Sequence, residues 1–266
     1  MRSLSSRHHP LVATCRALAR ARGGADPRLL LDGAHLVADA LASGLRLETV
    51  AFTARARSTP EGAQLVERLS ATPADLVEVT EQVMEALSPV PSPSGIVAIA
   101  PRPDASLSRV LAGSPALVVV AVDVQEPGNV GAVVRAAEAG GATGAVFCGA
   151  SADPFGWKAL RGSMGSVLRL PVVGGVTPGE VLAAARSAGL RILATVPRGG
   201  AAPEALDLRP PTLLLFGSEG AGLSGEILRR ADARVSIPMR AAVESLNVAV
   251  AAALLVYEAA RQRRAT

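Results

Sequence analysis

The apolar positions along the chain keep two periods. In HPLVATCRALARARG, Leu11, Val12, Cys15 and Leu18 recur at helical spacing while Arg16, Arg20 and Arg22 fall on other faces, which predicts an amphipathic helix with a basic side. PRLLLDGAHLVADALASG then predicts a short strand, a turn at Gly33 and a second helix closed by Gly44, and LETVAFTA predicts another strand. LVEVTEQVMEALSPVPSPSGIVAIAP continues with a strand, a short helix, a Pro-rich turn and a last strand. Together these predict a small α/β unit over residues 1–105.

PRPDASLSRVLAGSPA has the Pro, Gly and Ser content of a boundary, and a linker over 106–116 is expected there. From 117 to 266 strands alternate with helices: ALVVVAVDV, NVGAVVRAAEAGG, TGAVFCG, a helix around WKALRGSMG, then VLRLPVV as a strand. A helix from Pro178 to Ala188, strands RILATVP and TLLLFG, a helix LSGEILRR, a strand RVSIP and a final helix follow. Nearly continuous apolar strands in alternation with helices predict an α/β fold with a parallel sheet covered on both faces.

Composition sharpens the picture in three ways. Of 266 residues 49% are hydrophobic but only 2% aromatic, so the core is built from Ala, Val and Leu, and base stacking on aromatic rings is largely excluded as a mode of RNA binding. The net charge is +4 and Lys158 is the one lysine. An Arg-rich surface suits bidentate phosphate contact, although genomic base composition explains the same bias. Cys15 and Cys148 form no CxxC, and His8, His9 and His35 sit together near the N-terminus as loop residues, so no metal is expected. The opening MRSLSSRHHP lacks the apolar core of a signal peptide and no segment offers about 20 uninterrupted apolar residues, which predicts a soluble, cytoplasmic protein with no membrane partner.

Ligands of open parallel sheets bind outside the carboxyl ends of the strands, and three turns there are unusual. In DVQEPGNVGAVVRAAEAGG, Asn129 reads as the N-cap of a helix starting at Val130, with Arg135 less than two turns on; cap and solvent-facing Arg, or paired polar site, both fit. No G-x-G-x-x-G is present. In LLLFGSEGAGLSGEIL, the glycines at 217, 220 and 222 permit close backbone approach, and Glu219 opposes a phosphate there. In SIPMRAAVESLNVAVAAA, Ser245 can cap the last helix, which leaves Asn247 in its first turn. A cap accounts for Ser245. It does not account for Asn247, whose amide costs about 1–3 kcal/mol if buried without a partner.

These three motifs, in this order at these strand ends, resemble the SpoU/TrmH family of the SPOUT superfamily, S-adenosylmethionine-dependent RNA ribose 2′-O-methyltransferases. PRLLLDGAHLVADALASGLRLETVAFTA and SPVPSPSGIVAIA resemble the family's N-terminal, ribosomal-protein-like substrate-binding domain. The resemblance implies a C-terminal domain over 117–266 with a deep trefoil knot, an exception to the rule against knots, and a homodimer with the cofactor in the knot. Carried over residue by residue, it implies that Gly217, Ile237 and Leu246 hold S-adenosylmethionine. It implies catalytic positions at Asn129, Arg135, Glu219, Ser245 and Asn247, and an RNA-binding position at Arg161. Arg16 and Arg20 on the basic helix are further candidates for RNA contact; a solvated charged face is the other reading. Ala249 stands where many relatives have Ser. The activity implied is methyl transfer to a ribose 2′-hydroxyl of RNA, with 23S ribosomal RNA as the leading substrate. A tRNA 2′-O-methyltransferase and a non-catalytic RNA-binding assembly factor are the alternatives.

Overall fold

In the computed structural model, which describes residues 2–21 and 26–264, the two periodicities settle into two sheets. The first unit contains β1 (Arg2–Leu4), α1 (Pro10–Arg20), β2 (Arg28–Asp32), α2 (Ala34–Ala42), β3 (Thr49–Thr53), α3 (Ala54–Arg57), α4 (Pro60–Ser70), β4 (Asp75–Val79), α5 (Glu81–Leu87) and β5 (Ile96–Pro101). Its strand order is β1-β4-β3-β5-β2, with β5 antiparallel to both neighbours. Helix α1 starts where Pro10 follows His9, whose Nδ1 accepts from Leu11 N at 3.2 Å. Arg22, read above as part of its basic side, lies outside the described residues. Val12, Cys15 and Leu18 pack with α5 on one face of the sheet. Helices α2 and α4 cover the other face through Val37, Ala40, Leu65 and Leu69.

The second unit begins with α6 (Leu107–Leu111), which forms within the stretch read as linker and buries Val110 and Leu111. Then follow β6 (Leu117–Val122), α7 (Pro127–Ala139), β7 (Gly144–Cys148), α8 (Trp157–Ser163), α9 (Ser166–Arg169), β8 (Val172–Val176), α10 (Pro178–Ser187), β9 (Arg191–Thr195), β10 (Thr212–Phe216), α11 (Gly225–Arg230), β11 (Ala233–Val235) and α12 (Val248–Arg264). The sheet is parallel throughout, in the order β11-β9-β10-β6-β7-β8. Helices α7, α8, α9 and α12 pack on one face and α6, α10 and α11 on the other. The strand expected over VLRLPVV is shorter than its pattern. Met164 and Gly165 take left-handed conformations that restart the chain as α9, burying Val167 and Leu168, and β8 begins only after Pro171.

The two units share one apolar cluster. It runs from Leu29, Leu31 and Val37 of the first to Val130, Leu160 and Val256 of the second. Among the described residues no helix is long and apolar enough to cross a membrane.

Candidate active site

From β6 the chain moves outward to β7 and β8, then returns on the other side of β6 through β9 and β10. The gap between the carboxyl ends of β6 and β10 is therefore the switch point at which open parallel sheets bind ligands. Both glycine- and asparagine-bearing turns open onto it.

After β6, Glu126 caps α7 by accepting from Gly128 N at 3.4 Å, and Pro127 occupies the first helical position, where its missing N–H costs nothing. The helix thus starts three residues before Val130, and Asn129 is a first-turn residue rather than the cap. After β10 the chain folds back on itself, with Gly222 N donating to Ser218 O at 3.0 Å and Gly222 at φ +66°. A Cβ at Gly217 would lie 2.2 Å from the Gly222 carbonyl carbon, so the turn itself requires that glycine. Its closure projects Glu219 toward α7.

The entry to α12 departs from expectation in the same way. Asn247, not Ser245, is the cap: its Oδ1 accepts from Ala249 N at 2.9 Å and Val250 N at 3.4 Å. An asparagine cap has what a serine lacks, two further donors on the same side chain. Because Oδ1 must face the helix N–H groups, the amide orientation is fixed and Nδ2 points away from the helix. That nitrogen donates to Asn129 Oδ1 and to Glu219 Oε1, both at 3.0 Å. Asn129 Nδ2 donates to the same Glu219 oxygen at 2.6 Å. Residues 90 and 118 positions apart from Asn129 are joined in a closed triangle, and both of its amides are paired.

Beside the triangle lies a cleft of about 370 Å³. Gly217, Ile237 and Leu246 line it, as do Glu219 and Ser245. Thr195 and Val196 after β9 and Met239 line it too, residues the reading of three turns omits. The strand-end rule that marks β6 and β10 applies equally to β9. Its floor is apolar, with Val248, Ala251 and Leu255 of α12 beneath backbone-rich turns, and no Cβ at Gly220 would meet anything within 4 Å. Such a surface suits a flat, uncharged ring held by backbone groups.

Arg135 is exposed on α7 and takes no part in the triangle's bonding, with no hydrogen bond or ion pair among the described residues. Glu138, three residues on, instead holds Arg169 through bonds of 2.7 and 2.9 Å. Arg161 is exposed on α8 and faces Asp32 of β2, whose carboxyl is raised by burial against the lowering effects of the Ser88 hydroxyl and the Arg161 charge. Arg16 and Arg20 are exposed on α1, across the N-terminal sheet from α2 and α4. Among the described residues no group of three His, Cys, Asp or Glu could hold a metal ion. Burial pushes the Cys15 and Cys148 thiols up to about 12, which keeps both neutral.

Comparison with known proteins finds relatives for both units. The family model described as SpoU rRNA Methylase matches residues 116–257, and that of an MRM3-like substrate binding domain matches residues 18–98. The chain is 40% identical over 177 residues to the 23S rRNA (uridine(2479)-2′-O)-methyltransferase of Streptomyces viridochromogenes, covering 65% of this chain and 62% of the relative. It is 31% identical to the 23S rRNA (guanosine(2553)-2′-O)-methyltransferase RlmP of Bacillus subtilis, covering 86% of each. The crystal structure of the SpoU methyltransferase AviRb from Streptomyces viridochromogenes, in complex with the cofactor AdoMet, superposes with a TM-score of 0.87 at 30% identity, covering 97% of this chain and 99% of that one.

Proposed function

The chain belongs to the SpoU rRNA methylase family, and from that premise we propose that it transfers a methyl group from S-adenosylmethionine to a ribose 2′-hydroxyl of 23S ribosomal RNA. The observation that carries the reading is the Asn129–Glu219–Asn247 triangle beside the apolar cleft. Both relatives named above act on 23S rRNA, which favours ribosomal RNA over tRNA. The intact triangle speaks against a non-catalytic assembly factor.

The cleft fits the cofactor: Gly217, Ile237 and Leu246 would hold it, with Thr195 and Met239 beside them. When bound, the cofactor supplies an already activated sulfonium methyl, so the protein's task is alignment, proton removal and exclusion of water. Asn129 and Asn247 present donors and acceptors in fixed orientation, and Glu219 holds both amides through one oxygen. Arg135, with its guanidinium free, clamps the phosphate next to the target ribose and stabilises the developing alkoxide. A guanidinium offers donors and no acceptor, so its part is to hold charge rather than to take the proton. Ser245, which lines the cleft, is assigned in this reading as a further catalytic contact.

The reading extends to the whole chain. Residues 1–105 serve as the RNA substrate-binding domain and 117–266 as the methyltransferase domain, joined through 106–116, with Arg161, Arg16 and Arg20 as RNA contacts. The trefoil knot belongs to it as well, supported by the contact of Arg198 Nη2 with Ala241 O at 3.2 Å and of the 196–201 loop with residues 234–236. So does a cytoplasmic homodimer, supported by Val250, Leu254 and Tyr257, which leave one stripe of α12 about half exposed.

Single-turnover methylation of 23S rRNA with Arg135→Ala and Arg135→Lys tests the mechanism. Loss with Ala and partial retention with Lys are expected, and an Ala variant at the wild-type rate removes the clamp. Calorimetry with S-adenosylmethionine tests the class: no binding, with or without RNA, overturns the enzyme reading.

A further inference from the structure

Two ion pairs cross from the N-terminal unit to the C-terminal one among the described residues. Arg169 and Asp39 meet at 3.5 Å with side chains 41% and 39% exposed, and exposed pairs of this kind contribute little. Arg102 and Asp153 are different. The guanidinium of Arg102, just past β5, grips both carboxylate oxygens of Asp153 at 3.0 and 2.7 Å, with side chains 19% and 11% exposed. Its Nε donates to Asp26 O at 2.8 Å, and its Cζ lies 5.5 Å from the centre of the Phe155 ring. All three guanidinium nitrogens are engaged.

The loop that receives this fork leads to the candidate site in both directions. Toward the N-terminus, Ala152 N donates to Val124 O at 2.9 Å and Ser151 Oγ accepts from Val124 N at 3.1 Å. Val124 stands two residues before Glu126, the cap of the helix bearing Asn129 and Arg135. Toward the C-terminus, the loop runs into α8, which bears Arg161. The rest of the contact between the units is largely apolar packing, which holds surfaces together without fixing their angle. A planar bidentate fork does fix an angle.

We propose that Arg102 is a positioning residue: through Asp153 it sets the angle at which the N-terminal unit presents RNA to Asn129, Arg135 and Arg161. The proposal rests on the methyltransferase reading for its kinetic consequence, not for its geometric one.

Spin labels at Glu67→Cys on α4 and Ala183→Cys on α10, both exposed, report the angle in the full chain without RNA, since the native cysteines are buried. One narrow distance distribution is expected for the otherwise wild-type protein. Arg102→Gln should broaden it and Arg102→Lys, which keeps the charge but loses the fork, should broaden it less. KM for RNA should rise about tenfold in Arg102→Gln, while S-adenosylmethionine affinity and kcat at saturating RNA stay within about twofold. An unchanged distance distribution, or parallel losses in RNA KM and cofactor affinity, overturns the proposal. Should Arg102→Gln fail to fold, Asp153→Asn carries the same expectations. Because the distances need no activity, a chain that methylates no RNA would overturn the functional reading and leave this one standing.

Discussion

Asn247 does two jobs with one amide, and substitutions can separate them. Its Oδ1 caps α12 while its Nδ2 binds Asn129 and Glu219. Asn247→Ala removes both, and loss of the cap should cost about 1 kcal/mol of stability. Asn247→Asp keeps the cap acceptor, so its melting temperature should stay closer to wild type than that of Asn247→Ala. It has no hydrogens to give, however, and sets a second carboxylate against Glu219. Methyl transfer in a single turnover should fall at least about tenfold in both variants. A wild-type rate in Asn247→Asp would show that the triangle's donors are dispensable. The sequence exposes the residue types in this triangle but not their bonding. An Asn at a helix entry is visible as a polar interruption, whereas its reach to Asn129, 118 positions away, depends on strand order.

At the scale of elements, the alternation of strands and helices is legible because the central strands, such as β6, β7 and β10, are buried along their whole length while the helices bury one side. The misplacements share a cause. Helix α7 starts early because Pro127 suits a first turn, α12 starts late because Asn247 outcompetes Ser245 as cap, and α9 replaces the start of a strand because Met164 and Gly165 reverse the chain. Local apolar periodicity does not encode such boundary chemistry. Helix α4 was in principle readable, since Thr59 and Pro60 precede Leu65, Val66 and Leu69 at helical spacing. Close packing of α7 on α8 depends on Gly131, where a Cβ would lie 2.5 Å from Ala159 O and 2.8 Å from Ser163 N. Gly131→Ala should therefore destabilise the chain by about 1–3 kcal/mol in urea unfolding, because backbone rather than a flexible side chain must move. At the far end of α12, Arg261 and Gln262 hold the Glu258 carboxyl at about 2, below its ordinary 4.5. A depressed carboxyl stabilises the fold above its unfolded pKa and loses that contribution as pH falls from about 4.5 toward about 2. Glu258→Gln should lower stability at neutral pH and flatten the acid limb of a melting-temperature profile over that window.

For the whole molecule, charge and apolar exposure divide the labour between the two units. Eleven of the 27 basic residues and eleven of the 23 acidic ones lie in 1–105, so the excess of +4 belongs to the C-terminal part. In the N-terminal unit most arginines are also engaged by acids, as Arg2, Arg28, Arg55 and Arg57 are. Under the proposed reading, long-range attraction of a polyanion should therefore come from the C-terminal unit, leaving the N-terminal unit to orient it. The apolar counterpart is α12, which turns Ala251 and Leu255 toward the cleft and leaves Val250, Leu254 and Tyr257 outward. One helix thus borders both the cofactor cleft and the proposed subunit contact, so assembly and cofactor binding should be linked. Wild-type protein should sediment as a dimer, and Leu254→Glu, which places a charge in the middle of the stripe, should sediment as a monomer. In that variant S-adenosylmethionine affinity should fall, and raising protein concentration should recover part of it as dimers re-form. A Leu254→Glu monomer that binds the cofactor with wild-type affinity at every concentration would break the link, and a wild-type chain that sediments as a monomer would remove the dimer.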